Sequence, residues 1–385
     1  MQLLELCKLS NDRVESQNPF CFWEVDGYKL DNKHLVMWYE KSYGTKAKFV
    51  YRDYDLLKDN LKNTTIDLDH YYHLDFLKYL RSRYKTVKLL YSGGTDSATI
   101  LDMAYLNNIM IDDTITLFIE DINLPSNSEQ KNIAIPGLEK YKSIIGKSHM
   151  VKIGYDVIET HFKDHYSFFS SPCDCNFPVG FSAAKYGPLE EYQSGNDTCI
   201  ISGIDKPEIV FYNGRWYATM IDNAVAFGDQ SVTNLLPFYM DARNIKGYVK
   251  DCILYRNWLI KKNRVSRDNW QLFRCSAPVG EQSRIINRID VDNSEYLIAN
   301  NKAVTNGEKH QLRFKECFGL GNFTFFTKYF KAVETFYNVF PDVRTESGLK
   351  KYHSNGKFAW FIDLDSLEVH TQDGLIPNGF EKQVN

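Results

Sequence analysis

The chain of 385 residues predicts an α/β fold on a mainly parallel sheet, with further segments before and after it. Three observations carry this. From residue 86 onward, short apolar runs alternate with helix-period segments, the rhythm of a parallel sheet covered by helices on both faces. The first of these runs ends in a glycine-rich turn before a helix, in the stretch Leu89–Leu101, LLYSGGTDSATIL. The length exceeds one average core, so two or three lobes are expected. Soft boundaries near 85 and 245 give an N-terminal α+β region (1–85), the sheet domain (86–245) and a C-terminal region (246–385).

Within residues 1–70, GYKLDNKHLVMWYEK and TKAKFVYRD read as strands separated by polar turns. Leu74, Leu77, Leu80 and Tyr84 recur at helical spacing, predicting an amphipathic helix over about 70–84. TVKLLY is the first strand of the alternating region. After the glycine turn, Ala98, Leu101, Ala104 and Tyr105 share one helical face. TITLFIE (114–120) is the second strand, and 127–145 is mostly helical, broken or kinked by Pro136-Gly137. HMVKI (149–153) follows, then a helix over 156–169, the loop SSPCDCNFPVG, a helix near 181–193 and the strand TCIIS (198–202). EIVFYNGRWYATMID (208–222) reads as a hairpin, because Asn213-Gly214 sits between two alternating aromatic-rich runs. Residues 245–261 are helical, and late strands such as KFAWFIDL follow.

Composition narrows the function. The chain is 43% hydrophobic and 25% charged, ordinary for a soluble globular protein. A formal net charge of -3 gives no general affinity for nucleic acid or anionic membrane. No apolar run approaches the ~20 residues of a transmembrane helix. The opening Met-Gln-Leu-Leu-Glu-Leu-Cys-Lys is too short and too charged for a signal peptide, so a cytoplasmic location is expected. The 8 cysteines are scattered, and free thiols are expected.

Ser92-Gly93-Gly94-Thr95-Asp96-Ser97 is the stretch that bears chemistry. A strand, a glycine-rich turn and a helix start expose several backbone N–H groups together, and their dipoles favour a bound phosphate. Glycine allows close approach of the backbone, and the serine hydroxyls donate to phosphate oxygens. Asp96 suits such a site only if a cation, Mg²⁺, bridges acid and phosphate. The competing reading is a plain Gly-Gly turn with Asp96 as N-cap. A chance match to five fixed residues in six is expected on the order of 10⁻³ times in a chain of this length. Neither a Gly-x-x-x-x-Gly-Lys-Ser/Thr loop nor a Gly-x-Gly-x-x-Gly loop occurs.

This stretch resembles the SGGxDS signature of the ATP pyrophosphatases, the PP-loop family that includes asparagine synthetase, GMP synthetase and tRNA-thiolating enzymes. The resemblance covers about 86–222 in order of elements. It implies a Rossmann-like PP-loop fold that binds ATP and Mg²⁺, transfers AMP to a substrate oxygen and releases pyrophosphate. Ser92, Gly93, Gly94, Thr95 and Ser97 would hold the pyrophosphate and Asp96 the Mg²⁺, while the strand TITLFIE would line the adenine pocket through its backbone. Ser202-Gly203-Ile204-Asp205-Lys206-Pro207 follows another predicted strand. By the same resemblance Gly203 and Asp205 would form the second metal-holding turn, and Lys206 would meet the departing pyrophosphate. Its competing reading is a turn with a solvated lysine.

The second half-reaction stays open. One reading is amide formation on an adenylated carboxylate, as in asparagine synthetase, but without its N-terminal glutaminase, since position 2 is Gln2 and not Cys. Another is modification of a nucleobase or tRNA by thiolation or deazaguanine-type chemistry. A third, of a different class, is a non-catalytic adenine-nucleotide sensor. The substrate is expected to be a small molecule, with tRNA or protein as alternatives. Cys173-Asp174-Cys175 with Cys199 is a poor zinc set, and His161 and His165 have helical ligand spacing without a third ligand. The C-terminal region is expected to supply the substrate pocket, with Tyr248, Lys250, Arg256 and Arg264 as candidate contacts because they follow the core closely, the favoured reading of each being a surface residue.

Overall fold

The computed structural model describes residues 3–10, 21–30, 33–51, 53–157, 195–203, 207–221, 235–263, 270–274, 331–345 and 358–371, with short pieces between 312 and 348. At its centre is a five-stranded, all-parallel sheet made of β4 (Thr86–Leu90), β5 (Ile111–Ile119), β6 (Ile145–Ile153), β7 (Thr198–Ser202) and β10 (Leu235–Pro237). Its spatial order is β10-β7-β4-β5-β6. The chain builds outward from β4 through β5 to β6, then returns to the other side of β4 for β7 and β10. The order reverses between β4 and β7. In doubly wound sheets such a reversal opens a crevice at the carboxyl ends of the strands.

The central strands β4 and β7 are buried on both faces, whereas the edge strand β6 is largely exposed. In β4, Val87 and Leu89 point into one core and Leu90 into the other; in β7, Cys199 and Ile201 oppose Ile200 in the same way. The first core is closed by α4 (Tyr72–Arg83), α5 (Thr95–Leu106) and α6 (Ile135–Lys140). The second is closed by α7 (Ile245–Lys261), whose buried Ile245, Tyr248, Val249, Cys252, Ile253 and Leu259 follow helical spacing.

Two antiparallel sheets adjoin this second core. The N-terminal one, order β2-β1-β3, joins β1 (Cys21–Val25), β2 (Tyr28–Leu30) and β3 (Lys48–Tyr51). The other has the order β11-β8-β9-β12-β13. Its centre is the expected hairpin, β8 (Glu208–Tyr212) and β9 (Arg215–Ile221), whose turn residues Asn213 and Gly214 have φ of 48° and 79°. Positive φ at both positions is the primed turn that Asn-Gly favours. The hairpin pairs with β11 (Trp270–Arg274) and β12 (Phe358–Asp363), and β13 (Val369–Thr371) completes the edge, so this sheet joins residues from both sides of position 245.

Some local expectations are corrected. The segment after Leu30, read as strand, is the helix α2 (Lys33–Tyr43), because Leu35, Trp38 and Tyr39 share a helical face packed on the N-terminal sheet. Residues 1–70 also contain α1 (Leu3–Ser10) and α3 (Tyr54–Leu61), which bury Leu3, Leu6 and Cys7, and Leu57 and Leu61, at helical spacing. Pro136 does not break its helix. It lies where the π-helical turn Gln130–Ala134 passes directly into α6. The preceding residues form a 3₁₀ turn (Pro125–Asn127) and a π-helical turn (Gln130–Ala134). The helices expected over 156–169 and 181–193 lie almost wholly outside the described residues. Among the described residues, no helix is long and apolar enough to cross a membrane.

A charged row crosses the parallel sheet. Lys88 of β4 pairs with Asp113 of β5 at 3.0 Å, and His149 of β6 approaches the same carboxylate at 3.2 Å. Burial pushes the Asp113 pKa up, but hydrogen bonds from Lys88 and His149 outweigh it and hold the carboxyl below its usual value. The native state therefore binds this proton less readily than the unfolded chain. The resulting stability is complete above the unfolded pKa near ~3.9 and disappears as pH falls through the native value. Asp113→Asn is expected to cost about 1–3 kcal/mol at pH 7, with the difference from wild type shrinking as pH falls below ~3.9 into strong acid. Denaturant unfolding of both proteins at pH 7 and in strong acid checks this; a difference undiminished in acid would contradict it.

Candidate functional site

The crevice between β4 and β7 contains the glycine turn. β4 ends at Leu90, the chain turns through Tyr91–Gly94, and α5 begins at Thr95. Gly93 has φ of 82°, the left-handed region that glycine enters at no steric penalty. A Cβ on Gly93 would stand 2.7 Å from Ala134 N and 3.0 Å from Ala134 Cα. The backbone of the π-helical turn thus lies directly on the loop.

Gly94 is the N-cap residue of α5, so the cap has no side chain to cover the first-turn N–H groups. The expected competitor, Asp96 as N-cap, is displaced: Asp96 sits inside the first turn, half-buried. Two hydroxyls surround Gly94. Its N–H donates to Ser92 Oγ at 3.1 Å, Ser97 Oγ donates to Gly94 O at 3.1 Å, and the two hydroxyl oxygens are 3.4 Å apart. Thr95 Oγ1 is buried with no hydrogen-bond partner among the described residues. An orphaned hydroxyl beside an uncapped helix start suits an anion with several acceptor oxygens.

The neighbouring strand supplies the other wall. Gly203 follows β7, and a Cβ there would stand 2.8 Å from Ser97 N, 3.0 Å from Ser97 Cα and 3.1 Å from the Asp96 carbonyl carbon. Tyr239, just after β10, donates its hydroxyl to Asp96 O at 2.9 Å. The structure therefore brings Ser92, Gly93, Gly94, Thr95, Asp96, Ser97 and Gly203 together. Asp205 and Lys206 lie outside the described residues, as do Cys173, Cys175, His161, His165 and Arg264.

Two residues near the loop carry no sequence signal. Glu129, buried at the start of the π-helical turn, sets its Oε1 3.1 Å from where a Cβ on Gly94 would be. Asn127, fully buried, receives the Ile119 N–H at 3.1 Å and donates to Ile119 O at 2.7 Å and Asp121 O at 2.8 Å. It closes the backbone edge of β5 at Ile119, within the strand expected to read adenine. The rest of that strand's end, Leu117 and Phe118, is half-buried.

Three expected substrate contacts have structural partners instead. Tyr248 is buried, accepts the Glu208 N–H at 3.1 Å and donates to Thr219 O at 2.7 Å. Lys250 is buried and donates to His70 O at 2.7 Å. Arg256 pairs with Asp365 at 2.8 Å. Cys199 is a buried free thiol whose pKa burial pushes up to about 12, so it is neither a ready metal ligand nor a nucleophile. Among the described residues, no group of three or more His, Cys, Asp or Glu side chains is gathered to hold a metal. Mg²⁺ commonly needs fewer protein ligands, one or two carboxylates with the rest from phosphate and water.

No protein-family model matches this chain, and no curated protein matches it.

The packing makes a prediction independent of any ligand. Gly203→Ala pushes a methyl into the Ser97 and Asp96 backbone, where no flexible side chain can yield. It is expected to destabilise the protein by about 1–3 kcal/mol. Gly93→Ala adds a left-handed penalty of roughly 1–2 kcal/mol and should be worse. Thermal denaturation of the two variants tests the order; a Gly93→Ala protein as stable as wild type would refute the loop geometry.

Proposed function

We propose that this protein is an ATP-cleaving, AMP-forming enzyme of the PP-loop type, which adenylates a substrate oxygen in preparation for amide formation. One observation carries the reading: the Ser92–Ser97 turn and uncapped α5 start lie at the strand-order reversal, against Gly203 on the adjacent strand. Fold and motif support each other here, since the motif occupies the position where a doubly wound sheet takes its ligand.

In this reading the pyrophosphate portion of ATP meets the first-turn N–H groups of α5, the Ser92 and Ser97 hydroxyls and Thr95 Oγ1. Gly94, as the N-cap residue, puts no side chain over those N–H groups. A substrate oxygen attacks the α phosphorus, the bond to the bridging oxygen breaks, and that oxygen departs with the electron pair as part of pyrophosphate. The helix start and hydroxyls are fixed before the reaction, so they stabilise the growing charge without reorganising. Mg²⁺, when bound, neutralises phosphate charge and makes Asp96 tolerable beside it. Asp205 and Lys206 complete the reading from the β7 side, Asp205 as the second acid and Lys206 as the cation facing the leaving group.

Incubation with ATP, Mg²⁺ and candidate acids should yield AMP and pyrophosphate; ADP and phosphate would exclude the reading. Asp96→Asn should retain the fold by circular dichroism and lose turnover. Lys206→Ala should lower kcat by roughly 10²–10³ with a much smaller change in ATP affinity, because such a donor acts on the transition state. Near-normal turnover in Lys206→Ala would return that lysine to a solvated turn.

A further inference from the structure

We infer that Tyr239 is a positioning residue of this site, acting through the peptide that joins Asp96 to Ser97. The inference rests on the nucleotide reading above and goes beyond it, because no motif in the sequence points to a tyrosine after β10. That peptide lies in the first turn of α5, and its two polar groups have different uses. Its carbonyl oxygen, on Asp96, accepts the Tyr239 hydroxyl at 2.9 Å. Its N–H, on Ser97, belongs to the set that a helix start leaves without intrahelical partners, and the nucleotide reading turns that set toward phosphate oxygens. Gly203 covers the same peptide: a Cβ there would stand 2.8 Å from Ser97 N and 3.1 Å from the Asp96 carbonyl carbon.

The two supports are themselves joined. Phe238 N–H donates to Ser202 O at 2.9 Å, so the residue before Tyr239 is bonded to the residue before Gly203. Asn244, the N-cap residue of α7, donates from Nδ2 to Phe238 O at 2.7 Å and ties the segment to that helix. The Tyr239 ring is buried and packs edge-on with His73, their centroids 5.1 Å apart, and His73 is bonded to Asp251 at 2.9 Å. A ring held in this way gives its hydroxyl a fixed direction. A hydrogen bond accepted at a carbonyl oxygen polarises the peptide and strengthens its N–H as a donor. Tyr239 therefore sets both the orientation and the donor strength of Ser97 N–H. A donor oriented before the reaction stabilises the charge that gathers on the departing pyrophosphate.

The test is calorimetric titration of the full chain with inorganic pyrophosphate and, separately, with adenosine, for wild type and Tyr239→Phe. Phenylalanine keeps the ring and its packing and removes only the donor. Pyrophosphate affinity is expected to fall by about threefold to tenfold, the worth of one ordinary hydrogen bond, while adenosine affinity stays the same. A hydroxyl that only supports the fold predicts no change for either ligand or an equal loss for both, and either result overturns the inference while leaving nucleotide binding intact. If Tyr239→Phe does not fold, replacement of Tyr239 alone by 3-fluorotyrosine keeps the hydroxyl and makes it a stronger donor. Pyrophosphate should then bind more tightly with adenosine unchanged; pyrophosphate bound equally or more weakly overturns the inference as well. Wild type that leaves either ligand unbound would defeat the nucleotide reading itself and this inference with it.

Discussion

The structure depends on backbone packed against backbone at the start of α5. Ala134 lies on Gly93 from the β5 side, and Gly203 lies on Ser97 from the β7 side. Neither contact leaves room for a Cβ. A protein interior transmits such constraints because it is close-packed. The loop after β4, the π-helical turn after β5 and the end of β7 are therefore placed relative to one another before any side chain is considered. Tyr239, bonded to Asp96 O, adds a fourth support from beyond β10.

That rigidity has an electrostatic consequence. α5 is buried over most of its length, so the partial positive charge at its start is poorly screened by solvent. The chain places polar groups there instead of a cap: two serine hydroxyls, an orphaned threonine hydroxyl and two acids. Thr95 Oγ1 is buried there without a partner among the described residues, and Glu129 is buried beside the loop.

The sheet and the glycine loop were legible in the sequence because their signals are local. β4, β5, β7 and the hairpin each read as short apolar or alternating runs beside Gly, Asn or Pro, and α7 shows helical period over its full length. The segment after Leu30 misled because Leu35, Val36, Met37 and Trp38 form a continuous apolar run, which strand and helix share when neither flank breaks the pattern. Glu129 and Asn127 were invisible for a different reason. Their contacts to Gly94 and Ile119 come from a segment of 3₁₀ and π-helical turns, and no residue spacing encodes a contact made by an irregular helix. Tyr248 and Lys250, read as surface residues, are buried: proximity to the core in sequence gave them to the core itself.

Tyr248 shows how the site is joined to the rest of the molecule. Its hydroxyl bridges Glu208 N, at the first residue of β8, and Thr219 O on β9. Gly203, at the other end of the same connection, is fixed on α5. The connection between β7 and β8 thus leaves the parallel sheet at one anchored point and enters the antiparallel sheet at another. It is the same connection that carries Asp205, Lys206 and Pro207. Since β8 and β9 pair onward with β11 and β12, the C-terminal strands are joined to the crevice through that connection, and Glu316 adds a contact at Ser126.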